Sequence, residues 1–282
     1  MNIFEQVLAP YIKPPEPEPQ DYRDEEGYLC CGICHTRREY EVSINGQKRR
    51  VPVACKHLQQ QRDQEEAAHR KAQTIQRIQT ILNDLQSMSA AIEPKAFFRT
   101  DDEKNREISA KMKGYAQNFD KAYKNNLGLM IYGSPGTGKT FYAECVANTL
   151  LENARFAWIT SIRLLSSAMS QNYGENRKWL LQLVKMADLL ILDDFGAERD
   201  TSFMNEQVFE IINARYESGK PLVVTTNLDP KTMASEKDIS TRRVYERVME
   251  MCSPIEVKGE TRRRQIAARK MADLKDILGL EG

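Results

Sequence analysis

The run Gly133-Ser134-Pro135-Gly136-Thr137-Gly138-Lys139-Thr140 restricts this chain more than any other feature, because it satisfies G-x-x-x-x-G-K-T between an apolar stretch and a helical one. Such a loop wraps its backbone amides around phosphate oxygens, and the positive end of the following helix adds to the attraction. The loop needs a buried strand before it and a helix after it, which commits the region to an α/β architecture. Short apolar runs at 127–132, 156–160, 189–192 and 222–226, with a weaker one at 255–257, read as buried strands. Helical patterns lie between them, for example at 140–152 and 205–218. The expected fold class is α/β, with a five-stranded parallel sheet.

Within that sheet the motif gives each polar residue a role. Lys139 should reach the β- and γ-phosphates, and the Thr140 hydroxyl should bind Mg²⁺. The strand at 189–192 ends in Asp193-Asp194. Strand ends in parallel sheets face the ligand crevice, so Asp193 is expected on the magnesium ion, with Asp194 orienting or deprotonating the attacking water. The strand at 222–226 ends in Asn227, which is placed to hydrogen-bond that water or the γ-phosphate.

The N-terminal third differs in composition. Residues 13–19 are rich in proline and should form an extended spacer. Cys30, Cys31, Cys34 and Cys55 then cluster, whereas Cys145 and Cys252 sit alone in apolar stretches. Cys31-x-x-Cys34 with Cys55-x-His57 provides three thiolates and an imidazole, a donor set for structural Zn²⁺. Cys30 stands as an alternative to Cys31, and His35 to His57. Between the pairs, residues 39–47 alternate and then turn at Asn45-Gly46, which predicts a small hairpin. From 58 to about 91 there is no Gly or Pro, so one long helix is expected. Its apolar stripe, Ile75, Ile78, Ile81, Leu82, Leu85 and Met88, is confined to the second half. The expected division is a leader and spacer at 1–20, a zinc-binding module at 21–60, a connector helix at 61–93 and a nucleotide-binding domain at 94–282.

Lys and Arg total 41 against 40 Asp and Glu, so any nucleic-acid contact must come from a local patch rather than from net charge. No stretch approaches 18 uninterrupted apolar residues, and the N-terminal residues lack a signal-peptide pattern, so a cytoplasmic protein with no membrane partner is expected.

The order of strand, phosphate loop, acidic strand and Asn-ended strand resembles the AAA+ ATPases. Over about 97–270 the chain is most similar to the DnaC and IstB group. The resemblance is carried by Gly128-Leu129 before the loop, Asp193-Asp194-Phe195-Gly196, Thr226-Asn227-Leu228, Arg243-Val244-Tyr245-Glu246-Arg247 and Gly259-Glu260-Thr261-Arg262-Arg263. It implies hydrolysis of ATP to ADP and phosphate, with Arg247 as an arginine finger reaching a neighbouring subunit's ATP. Arg263 would be the second sensor arginine, with Arg262 and Arg264 as rivals. Many members carry Glu where this chain has Asp194, and only 19 residues follow Arg263, which leaves the helical lid reduced or absent. The implied partners are a replicative DnaB-type helicase gripped by the N-terminal module, single-stranded DNA, and further copies of the chain in an ATP-dependent ring or spiral. Arg163, Tyr173, Arg177, Lys178 and Trp179 are the candidate DNA contacts. A transposase helper of the IstB type and a nucleotide-sensing adaptor with little hydrolysis are the alternative roles.

Overall fold

The structure is a computed structural model that describes residues 16–44, 46–86, 96–102, 104–171, 175–196, 202–259 and 261, together with 270, 271, 274, 277 and 278. The chain divides into two compact units between Gln73 and Thr74.

The first unit is built from two small antiparallel ribbons. β1 (Tyr22–Arg23) pairs with β2 (Leu29–Cys30), and β3 (Glu39–Ile44) pairs with β4 (Gln47–Pro52). Ile44 faces Gln47 across a two-residue turn with Gly46 at φ 78°, the hairpin that the Asn-Gly pair predicts. So small a unit has little apolar core, and charge pairing does much of the packing. Glu39 is buried and accepts the Leu29 amide at 2.9 Å, with the Arg23 and Arg50 guanidiniums at 2.9 and 3.2 Å. Burial pushes its carboxyl up, but the amide and the two cations outweigh this and hold it below the usual range. The Tyr28 ring carries Arg37 at 4.2 Å and Arg50 at 4.7 Å from its centroid.

Helix α1 (Lys56–Asp84) carries the chain from the first unit into the second. Residues 59–74 are exposed, as their polar composition predicts, while Ile78 and Leu85 are buried with Ile81 and Leu82 packed beside them. The helix ends at Asp84, and Met88 and the rest of its expected length, from 87 to about 91, fall outside the described residues.

In the second unit, α2 (Arg106–Gln117) and α3 (Phe119–Lys124) precede the sheet. The remaining elements in order are β5 (Gly128–Tyr132), α4 (Lys139–Glu152), β6 (Ala157–Thr160), α5 (Ile162–Gln171), α6 (Glu175–Met186), β7 (Leu189–Phe195), α7 (Ser202–Glu217), β8 (Leu222–Thr226), α8 (Pro230–Ala234), α9 (Ile239–Met251) and β9 (Cys252–Glu256). The five strands are parallel in the order β6-β7-β8-β5-β9. Strand residues alternate between two cores, as a period of two requires. Leu190, Leu192, Leu222, Val224 and Trp158 pack with α5, α6, α7 and α9, while Leu189, Ile191, Val223 and Ile159 pack with α2, α3 and α4.

Two strands extend beyond their sequence expectation. β9 starts at Cys252 rather than 255 and includes Pro254, which a strand tolerates at a sheet edge, where one side makes no ladder bonds. β7 continues to Phe195 through an irregularity described below.

Candidate functional site

The loop expected to hold phosphate lies between β5 and α4. Gly133 has φ 145°, and a Cβ there would meet the Val257 carbonyl oxygen at 2.4 Å, so only glycine fits where β5 leaves the sheet. Gly138, at φ 99°, caps α4 and leaves the first helical amides facing the loop. Thr137 is buried and donates to the Ser134 carbonyl at 2.9 Å, which ties the loop to itself. Gly136, at φ 82°, makes the turn after Pro135.

Lys139 is buried, and its Nζ donates to the Gly133 and Ser134 carbonyls at 2.8 and 3.0 Å and to Asn227 Oδ1 at 2.7 Å. Thr140 Oγ1 donates to Asp193 Oδ1 at 2.8 Å, and Thr225 Oγ1 donates to the same oxygen at 2.6 Å. Asn227 Nδ2 lies 3.4 Å from Asp194 Oδ1. Residues from the ends of β7 and β8 and the start of α4 therefore form one hydrogen-bonded group: Lys139, Thr140, Asp193, Asp194, Thr225 and Asn227.

The two aspartates share this group because of a bulge. Neighbouring strand residues normally point to opposite faces. In β7, Leu192 pairs with Val224 and Phe195 with Thr226, so Asp193 and Asp194 together oppose Thr225 alone. Asp194 takes a left-handed conformation at φ 57°, and its amide donates to Thr225 Oγ1 at 2.9 Å. Strain of about 1 kcal/mol is thereby held at the residue whose carboxylate faces Asn227. Thr225 escapes a reading of the sequence. Its only signal is a Thr pair in an apolar strand just before Asn227.

The oxygen-rich pair Thr140 and Asp193 fits a hard divalent cation such as Mg²⁺, and the glycine-rich loop at the start of α4 fits a polyphosphate. Arg247 is not part of this group. It lies on α9 against Phe209 and Tyr216 of α7. Arg262, Arg263 and Arg264 lie outside the described residues, as does Tyr173. Of the other candidate DNA contacts, Arg163, Lys178 and Trp179 are exposed, and Arg177 is paired with Glu210, Nε to Oε2 at 3.0 Å.

The sulfur atoms of Cys31, Cys34 and Cys55 lie within 4.8 Å of one another, with Cys31 and Cys55 buried. Three converging thiols are the donor chemistry of a structural zinc site. The Thr36 hydroxyl, 3.0 Å from Cys34 Sγ, and the amides of Thr36 and His57 lower the Cys34 thiol to about 6 against the opposing effect of burial. Burial pushes Cys55 up, although its sulfur accepts the Leu58 amide at 3.5 Å. Of the two adjacent cysteines, Cys31 stands with Cys34 and Cys55, whereas Cys30 Sγ lies 3.8 Å from Asp24 Oδ2. His35 Nδ1 sits 3.3 Å from Tyr22 OH. The His57 ring does not join the three thiols. Cys55 precedes α1 and His57 is its second residue, and side chains two apart on a helix do not face each other.

The parallel sheet, the phosphate loop and the paired aspartates define a P-loop ATP-binding protein with the AAA+ fold. The family described as IstB-like ATP binding protein matches residues 50–270, and the chain belongs to that family. Among curated relatives, the replicative helicase loader DnaI of Bacillus subtilis (strain 168) is 28% identical over 166 residues, which cover 53% of this chain and 52% of that protein. The replicative helicase loader DnaC of Escherichia coli (strain K12) is 27% identical over 157 residues, covering 54% and 60%. The chain thus spans about half the length of the curated relatives it matches. The crystal structure of DnaI superposes with a TM-score of 0.50 at 26% identity, over 60% of this chain and 90% of that one. A crystal structure of the DnaC helicase loader has a TM-score of 0.51 at 24% identity, over 58% and 98%, a likeness of fold. Among the described residues no helix is long and apolar enough to cross a membrane.

Proposed function

We propose that this protein is an ATP-hydrolysing loader of a replicative DnaB-type helicase. Residues 21–60 would grip the helicase, and the ATPase domain from about 94 would assemble with other copies on single-stranded DNA. The observation that carries this reading is the single hydrogen-bonded group of Lys139, Thr140, Asp193, Asp194, Thr225 and Asn227 at the strand ends. The names of the DnaI and DnaC relatives support the loading role.

In this reading the loop amides of 133–140 and the Lys139 ammonium bind the β- and γ-phosphates, with Thr140 and Asp193 as the residues that hold Mg²⁺. When bound, that ion supplies positive charge to the phosphate oxygens. Asp194 accepts a proton from the attacking water, and Asn227 fixes the direction of its carboxylate. Arg247 acts in trans on a neighbour's nucleotide, and Arg263 serves as the second sensor. Hydrolysis would follow assembly and release the helicase.

The test is ATP turnover of the full chain with and without single-stranded DNA and helicase, compared with Arg247→Ala. Turnover stimulated by both partners is expected, with the variant losing a thousandfold or so while still binding nucleotide. Turnover indifferent to DNA, helicase and Arg247 would overturn the loader reading.

Zinc is proposed as the first unit's structural ion, on Cys31, Cys34 and Cys55, with His57 as the fourth ligand after its ring turns toward the thiols. Purified protein is expected to carry about one zinc per chain. A chelator should unfold the module and abolish helicase capture while nucleotide binding persists. Metal-free protein that still captures helicase would contradict this assignment.

A further inference from the structure

Arg247 is held in an unusual way for a half-buried cation. Its guanidinium carbon lies 4.6 Å from the Phe209 ring centroid and 5.6 Å from that of Tyr216. The two rings are seven residues apart on α7, so they lie on one stripe of that helix, two turns apart. Among the described residues Arg247 makes no hydrogen bond or ion pair, and its Nη1 is buried without a partner. Two other arginines of this unit that are buried or half-buried behave differently. Arg215 has its donors on backbone carbonyls and Arg177 is on Glu210.

The nearby carboxylates are engaged elsewhere. Glu250 follows Arg247 by three residues, a spacing at which a helix pairs opposite charges. It instead accepts the Tyr216 hydroxyl at 2.8 Å. Glu217 accepts from Lys185 at 2.9 Å and from Asn213 at 2.7 Å. Stacking on aromatic rings fixes a guanidinium without occupying its N–H groups. Arg247 is thus positioned with its hydrogen-bonding fork uncommitted, and with Nη1 buried it is the accessible remainder of the fork that a phosphate would meet.

We propose that Phe209 and Tyr216 are positioning residues for Arg247, holding it as an uncommitted cation for the phosphate of a nucleotide bound to a second copy of this chain. Phe209 supplies the nearer ring. Tyr216 supplies the other and, through its hydroxyl, keeps Glu250 from capturing Arg247. The proposal rests on the trans action of Arg247 argued above.

Mixed-subunit turnover tests it. A Lys139→Ala chain lacks a working loop but donates Arg247, and an Arg247→Ala chain has the loop but no finger. Each alone should be inactive, and their mixture should recover turnover. Phe209→Leu placed in the Lys139→Ala donor is expected to lower the mixture's rate about tenfold, and the same change in the Arg247→Ala acceptor to leave it unchanged. Tyr216→Phe in the donor should cause a similar loss, which Glu250→Gln in the same chain should restore. Equal loss from either subunit, or no loss from the donor, would overturn the positioning role. A mixture that never recovers activity would instead remove the trans reading on which it stands.

Discussion

Replacing Asp194 with Asn is expected to reduce ATP turnover by about a hundredfold or more while nucleotide affinity changes only a few-fold. The substitution is informative because of the backbone at this site. Asp194 sits at φ 57° in the bulge of β7, a conformation that Asn adopts as readily as Asp, so the loop should keep its shape. Only the charge and the proton-accepting capacity are removed. Asp193, on the Thr140 side, keeps its own hydrogen bonds to Thr140 and Thr225. Phosphate release measured beside nucleotide affinity separates the two effects. Turnover within threefold or so of the unmodified protein would show that Asp194 is not the group that activates water.

Replacing Arg215 with Leu is expected to cost about 3–5 kcal/mol of stability. Arg215 is fully buried on α7, and burial pulls its pKa down to about 10, which leaves it charged at neutral pH. Among the described residues its guanidinium has no carboxylate partner. Nη1 donates to the Val184 and Ala187 carbonyls, both at 2.8 Å, and Nη2 to those of Asp188, at 3.2 Å, and Pro221. These carbonyls belong to the end of α6 and the segments that lead into β7 and β8. Leu would leave them buried without a donor, which is the costly half of breaking such a network. For a unit of this size the loss corresponds to a fall in melting temperature of about 6–20 °C. Lys in its place should recover only part, since a single ammonium cannot span the planar fork. Denaturant and thermal melts would check this, and a shift below about 2 °C would mean the carbonyls find other partners.

The two residues just discussed differ in how far the sequence reveals them. Asp194 is legible because its motif is contiguous and ends an apolar strand. Its left-handed backbone is not, because that depends on pairing with Thr225 of another strand. Arg215 reads as one more charged residue on a helix. Its burial follows from three separate segments that meet only in the folded sheet. The strands were legible from their apolar runs, although Pro254 hid the start of β9, whose edge position no local pattern reveals. At the thiol cluster, spacing leaves Cys30 and Cys31 open, and the convergence of Cys31 with Cys34 and Cys55 is visible only in the folded unit.

The borders of the sheet also limit how copies of this chain can join. Along β9 the outer border carries Pro254, which has no amide to offer, and an exposed Glu256. Along β6 every residue is buried. Among the described residues, one border is thus interrupted by a missing amide and the other is covered, which disfavours continuation of one molecule's sheet into the next. In the assembly proposed above, copies would instead be held by side chains and bound ligands. Contacts of that kind would form and dissolve with the state of the nucleotide, whereas a shared backbone ladder would persist.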